Sequence, residues 1–136
     1  MARDQIKQAV AYLRANDGSA AKLEAQRQRI AAWAAKTETE IGSWHLEGGS
    51  WTVKMRHRPE RLRALAAIEL GGAQVLVVAR SEALTRGARQ MVALVEWVGR
   101  LGAEVQSAVE GSLTAESGRF LLTPRQVSML SARRVW

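Results

Sequence analysis

Cysteine is absent from this 136-residue chain, and with it go disulfides, thiolate metal sites and cysteine nucleophiles. Aspartate is almost absent too. Only Asp4 and Asp17 occur, and the glutamates show no clustered ligand spacing, so metal-dependent nuclease chemistry is not expected. Histidine is limited to His45 and His57, which sit in unlike surroundings and read as structural or merely exposed side chains. Nowhere does an apolar run approach the roughly 20 residues that span a bilayer. The opening "MARDQIKQ" lacks the apolar stretch of a signal peptide, so a soluble, cytoplasmic protein with no membrane contact is the expectation. No G-x-G-x-x-G or Walker A pattern follows the first apolar strand, so a nucleotide cofactor has no cradle, and no cofactor or metal is expected.

What is present is positive charge. The net charge is +7, from 20 basic against 13 acidic residues, and the isoelectric point is near 11.0. A polyanion such as nucleic acid is the natural partner for such a chain, with a solvated basic surface as the alternative. At 47% hydrophobic residues the chain can bury a modest core, and its length suits one domain.

Apolar patches alternate between the periods of strands and helices, which predicts an α/β fold. "AVAYL" (9–13) reads as a first strand. "KLEAQRQRIAAWAAK" (22–36) reads as a helix with Leu23, Ile30, Trp33 and Ala34 on one face. "TEIGSWHL" (39–46) alternates imperfectly and is taken as a strand. "EGGSWTVKMRHRP" (47–59) has turn chemistry and charge but no period, so a loop is expected. "ERLRALAAIELGG" (60–72) predicts a helix with Leu62, Leu65, Ala66 and Leu70 inward, opened by Pro59 and stopped at Gly71. "QVLVVA" (74–79) is an unbroken apolar run typical of a central strand covered on both faces. "ARQMVALVEWVGRLG" (88–102) predicts a helix with Met91, Leu94, Val95, Val98 and Leu101 inward and Gly102 as its end. "AEVQSAV" (103–109) is the next strand, and "TPRQVSMLSARRVW" opens with Thr123, Pro124 and Gln126 arranged as a capping box. The order predicts a three-layer sandwich around a mostly parallel sheet, with the loops after residues 13, 79 and 109 gathered at one edge.

Those loops hold the candidate chemistry. The first offers Arg14, Asn16, Asp17 and Ser19. "RSEALTRG" after the third strand offers Arg80, Ser81, Glu82, Thr85 and Arg86. The long loop adds Arg56, His57, Arg58, Arg61 and Arg63. Converging guanidinium groups suit phosphate oxygens, which their planar fork binds bidentately. The five tryptophans read as core filling, except Trp51 in its glycine-rich loop.

Three stretches, "AYLRAN…KLEAQRQRIAAWA", "HRPERLRALAAIELGGAQVLVVARSEALTRG" and "EWVGRLGAEVQSAVEGSLTAESGRFLL", resemble the catalytic domain of the serine recombinases (resolvases and invertases) over residues 9–122, in matching order and spacing. The resemblance implies DNA cleavage by a serine hydroxyl, with arginines stabilising the charge on the phosphorus centre and strands exchanged within a tetramer. Arg14 then takes the arginine of the family's Y-x-R-x-S, Gln26 the glutamine of the first helix, Arg58 the arginine before proline, and Arg86 the second arginine of D-R-L-x-R. Four positions depart from the pattern. Asn16 stands where the nucleophilic serine belongs, His57 and Glu82 replace aspartates, and Ala83 replaces the first arginine of D-R-L-x-R. The resemblance therefore implies a catalytically impaired domain (1–122) with a short C-terminal helix (123–136) and no helix-turn-helix module. Its partners would be DNA through weak backbone contacts, a second copy in a homodimer, or an intact recombinase. Two alternatives remain open at this point. One is cleavage by a replacement nucleophile such as Ser19. The other is a pure protein-interaction module using Val127, Leu130 and Trp136 of the tail.

Overall fold

The computed structural model describes residues 6–15, 19–48, 59–84 and 87–114. They form β1 (Lys7–Ala15), α1 (Ala20–Thr37), β2 (Thr39–Gly48), α2 (Pro59–Glu69), β3 (Val75–Val78), a 3-10 turn (Ser81–Ala83), α3 (Ala88–Arg100), β4 (Glu104–Ser107) and β5 (Gly111–Leu113). The tail helix expected from residue 123 lies outside the described residues.

The strands make one sheet in the order β2-β1-β3-β4-β5. The first four strands run parallel, and β5 closes the edge antiparallel to β4. The sheet is covered on both faces, as the expected three-layer α/β sandwich requires. On one face α1 packs Ile30 against Ala9, Ala11, Leu13, Val75 and Val77, with Leu23, Trp33, Ile41 and Trp44 around them. On the other, α2 and α3 pack Ala64, Leu65, Ile68, Met91, Leu94, Trp97 and Val98 against Val10, Tyr12, Leu76, Val78 and Val105. Alternate residues of β1 thus serve opposite cores, as the pleat dictates.

Two sequence expectations change here. The inward face of α2 is not Leu62, Leu65, Ala66 and Leu70. Leu62 is 42% and Leu70 85% exposed, and the buried residues are Arg61, Ala64, Leu65 and Ile68. These four fall at i, i+3, i+4 and i+7, one continuous helical stripe with an arginine in it. On α3, Leu101 is 41% exposed, while Val92 and Trp97 are buried. Both helices do end at the expected glycines. Gly71 and Gly102 have φ of +79°, and the amides that follow them reach back to Ala67 O and Val98 O, closing Schellman motifs.

The imperfect alternation of "TEIGSWHL" has a physical cause. Ile41 pairs with Ala9 and Ser43 with Val10, so Gly42 is an extra residue in the ladder. The bulge re-phases β2. Ile41 and Trp44 reach the α1 core, while His45 and Glu47 bond to α2 and Tyr12 on the other face.

Candidate functional site

In a parallel sheet of order 2-1-3-4, the chain leaves β1 and β3 toward opposite sides, so their carboxyl ends open a crevice between diverging loops. That crevice is occupied here by a cleft of about 310 Å³, lined by Arg14, Lys22, Ala25, Gln26, Arg29, Ala79, Arg80, Glu82 and Ala83. A cleft of about 360 Å³ lies at the opposite edge, lined among others by Lys7, Trp33, Lys36 and Glu104. Its Lys7 and Glu104 pair with one another at 3.0 Å, and none of the sequence candidates lies there.

Gln26 fastens the cleft's two walls together. Its Oε1 accepts from the Arg14 backbone amide at 3.1 Å, and its Nε2 donates to the Arg14 carbonyl at 2.7 Å. One side-chain amide therefore satisfies both backbone polar groups of Arg14, one residue before the end of β1. Ser19 then starts α1 as its N-cap, accepting the Lys22 amide at 3.4 Å.

Three further tethers were not anticipated from the sequence. Glu47 is buried at the end of β2. It accepts the Tyr12 hydroxyl at 2.6 Å on one oxygen and the Glu60 amide in the first turn of α2 at 3.1 Å on the other. A carboxylate at a helix N-terminus is favoured by the orphan amides and the dipole. Glu60 Oε1 in turn lies 3.3 Å from His45 Nδ1, and His45 Nε2 lies 3.0 Å from Ser43 Oγ, so His45 is part of the β2–α2 seam.

Arg61 is the second tether. The sequence suggests a phosphate ligand in the long loop, but Arg61 lies within α2, wholly buried, and donates from Nη1 to the Leu84 carbonyl at 2.6 Å. It holds the turn after β3 and points away from solvent. Arg63, grouped with the same loop, also lies on α2, where it pairs with Glu60.

Glu110 is the third. It accepts from the Ser81 amide at 2.6 Å and from the Ser81 and Ser107 hydroxyls at 2.9 Å each. Burial pushes its carboxyl up, but these hydrogen bonds and the Arg80 charge outweigh it and hold the group below its ordinary value. The end of β4 is thereby tied to the turn that carries Arg80, Glu82 and Ala83. The loop expected over 47–59 hides Glu47, because β2 runs on to Gly48 and takes Glu47 into the ladder beside Arg14; Glu110 lies between β4 and β5, where no period marks it.

Among the sequence candidates, Arg14 and Glu82 are brought together at the cleft, with Arg80 beside them. Arg14 is 4% exposed, whereas Arg80 and Glu82 are exposed. Ala83, 6% exposed, also lines the cleft. Asn16, Arg58 and Arg86 lie outside the described residues, as do Asp17, Arg56, His57 and Thr85. Lys22 and Arg29 line the cleft too. They sit on a helix whose polar face gave no reason to single them out. Among the described residues no cluster of three or more His, Asp or Glu side chains could hold a metal ion, and no helix is long and apolar enough to cross a membrane.

The family model for the resolvase N-terminal domain matches residues 9–131. The chain belongs to the resolvase family. The fold of this resolvase-family domain is shared by solved catalytic domains. It is 21% identical to the N-terminal catalytic domain of TP901-1 integrase, with a TM-score of 0.70 over 93% of this chain and 92% of that one. A resolvase family site-specific recombinase from Streptococcus pneumoniae matches with a TM-score of 0.67 at 19% identity, over 93% and 84% of the two chains. The C-terminal catalytic domain of ISC1926 TnpA, an IS607-like serine recombinase, matches with a TM-score of 0.66 at 13% identity, over 92% and 94%. No curated protein is similar enough to match.

Proposed function

We propose that this resolvase-family chain is a serine-recombinase catalytic domain that grips the DNA backbone at the carboxyl edge of its sheet without cleaving it. The observation that carries this reading is Asn16, which stands where the family pattern Y-x-R-x-S places its nucleophile. The amide nitrogen of asparagine has its lone pair delocalised into the carbonyl, so it cannot attack phosphorus or form a phosphoester. Ala83 supports the same reading. It lines the cleft with a methyl group where the pattern D-R-L-x-R would place a guanidinium, and by analogy with one lost oxyanion donor that substitution costs roughly 10²–10³ in rate. The next hydroxyl in the loop, Ser19, is engaged as the N-cap of α1, which argues against its serving as a replacement nucleophile.

What remains is a set of cations suited to phosphate oxygens. Arg14 and Arg80 line the cleft. Arg58, immediately before the start of α2, and Arg86, just after the turn at Ser81–Ala83, complete the set in this reading. Contacts of this kind position a protein on DNA without reading its sequence. The domain would act in the cytoplasm on DNA held by a second copy of itself or by an intact recombinase, contributing grip rather than chemistry.

The test is the salt dependence of binding to duplex DNA. Each neutralised phosphate contributes about −0.9 to the slope of log K against log salt. Replacing Arg58 and Arg86 by alanine is expected to flatten that slope by roughly one to two units. An unchanged slope would locate DNA binding away from these arginines.

A further inference from the structure

The cleft at the strand ends is lined by four cationic residues and one carboxylate, and half of those cations come from α1. Lys22, Gln26 and Arg29 fall at i, i+4 and i+7, one stripe of the helix, with Ala25 beside it. Gln26 fixes the direction of that stripe, because its amide is hydrogen-bonded at both ends to the Arg14 backbone. The bond that secures β1 therefore also turns Lys22 and Arg29 toward the crevice. Both are exposed, so neither charge carries a large desolvation penalty, and an anion approaching from solvent can reach them.

From this geometry we infer that α1 forms one jaw of a phosphate clamp, with Lys22 and Arg29 lining the cleft together with Arg14 and Arg80, and the buried Ala79 and Ala83 as its floor. The size of the jaw indicates what it holds. Seven residues of helix separate Lys22 from Arg29, a rise of about 10 Å. The phosphates of one DNA strand recur about every 3.4 Å along the duplex axis. The jaw therefore spans a run of phosphates rather than a single ion, and its ligand is a nucleic-acid strand lying along α1. The alanine floor offers no hydrogen-bond donor or acceptor side chain, so the clamp reads charge and not base sequence. The inference rests on the proposed function in taking DNA as the ligand and in using Arg14 and Arg80, and it adds Lys22 and Arg29 of α1 to the grip.

The experiment compares intact protein with two doubly substituted forms that lose the same charge, using a short duplex and a salt titration. Lys22→Ala/Arg29→Ala removes the jaw. Arg27→Ala/Lys36→Ala removes two other cations of the same helix, neither of which lines this cleft. The expected result is a slope flattened by about 1.8 in the jaw variant, two phosphates at about 0.9 each, and by less than about 0.5 in the control. Lys22→Arg/Arg29→Lys is expected to restore the wild-type slope, since charge and not side-chain shape does the work. Thermal unfolding of each form checks that the fold survives.

Equal flattening in both double variants would overturn the inference, because only total charge would then matter. No flattening in the jaw variant would overturn it as well. If in that case Arg58→Ala/Arg86→Ala still flattens the slope, the proposed function stands without the jaw. If only the jaw variant flattens it, the jaw stands and the arginine loops are not the grip. Absence of any duplex binding by the wild-type protein at low salt would overturn both.

Discussion

Replacing Gln26 by alanine isolates the contact that joins β1 to α1. The structure shows two hydrogen bonds from one partly buried amide to the Arg14 backbone, at 3.1 and 2.7 Å. A hydrogen bond of this kind contributes about 1 kcal/mol net. The alanine variant loses both, and water can reach the part-exposed site to re-solvate the Arg14 groups, so the expected loss is about 2 kcal/mol rather than the larger penalty of two buried orphans. For a domain of this size that lowers Tm by roughly 6–8 °C. Urea denaturation gives the energy, and amide exchange gives the place. Protection of the Arg14 amide should fall well beyond what the global loss explains, while the amides of Leu76 and Val77 in the central strand follow the global change alone. Gln26→Glu sharpens the test. It keeps an acceptor for the Arg14 amide but sets a carboxylate oxygen against the Arg14 carbonyl, so near neutral pH it should destabilise at least as much as alanine. Protonation lets that carboxyl donate to the carbonyl, so the penalty should shrink as pH falls. An alanine variant with an unchanged midpoint and a fully protected Arg14 amide would refute the clamp.

Other perturbations follow from the same contacts. Tyr12→Phe leaves a buried oxygen of Glu47 without its 2.6 Å donor, an expected loss of about 1–3 kcal/mol in chemical denaturation. No change would show that the seam between β1, β2 and α2 is held by packing alone. Arg61→Ala should cost about 3 kcal/mol or more, from a cavity beside α2 together with loss of the Leu84 carbonyl's Arg61 donor. Arg61→Met, which keeps the apolar volume, should recover part of that. Equal losses in the two would refute the cavity share and leave the hydrogen bond to carry the whole effect. Glu110 is held below its ordinary carboxyl value, so its stabilisation is fully present above that value and is lost as pH falls through the lowered one. The stability gap between wild type and Glu110→Gln should therefore close in acid below about pH 4.5. A gap independent of pH would show that the carboxylate's charge is not what ties β4 to the Ser81 turn.

Much of this architecture is legible in the chain because β1, α1, β3 and α3 bury apolar residues with clean periods. "QVLVVA" is apolar without interruption because β3 is covered on both faces. Where the reading failed, a polar or extra residue broke the pattern. Arg61 occupies a core position of α2, so counting apolar side chains shifted the helix face toward Leu62 and Leu70, which are exposed. Gly42 adds a residue to β2, so neither alternating set of "TEIGSWHL" lies wholly on one face. At three residues, β5 is too short to show a period. The site was partly legible. Arg14 and Glu82 are legible from the loops at the strand ends and Gln26 from the motif resemblance, and the structure places all three at the cleft. Lys22 and Arg29 were not found, because exposed cations on a helix look alike until the fold shows which of them border a crevice.

The most direct test of the central claim is a denaturing-gel assay of the wild-type protein incubated with supercoiled DNA. A serine recombinase that cleaves leaves its hydroxyl joined to a DNA phosphate, and that bond survives denaturant. With Asn16 at the nucleophile position, no protein–DNA adduct is expected under conditions where the same protein binds DNA in a salt-sensitive manner. A denaturant-resistant adduct from the wild-type chain, lost in Ser19→Ala, would contradict it and show that the loop after β1 has recruited another nucleophile.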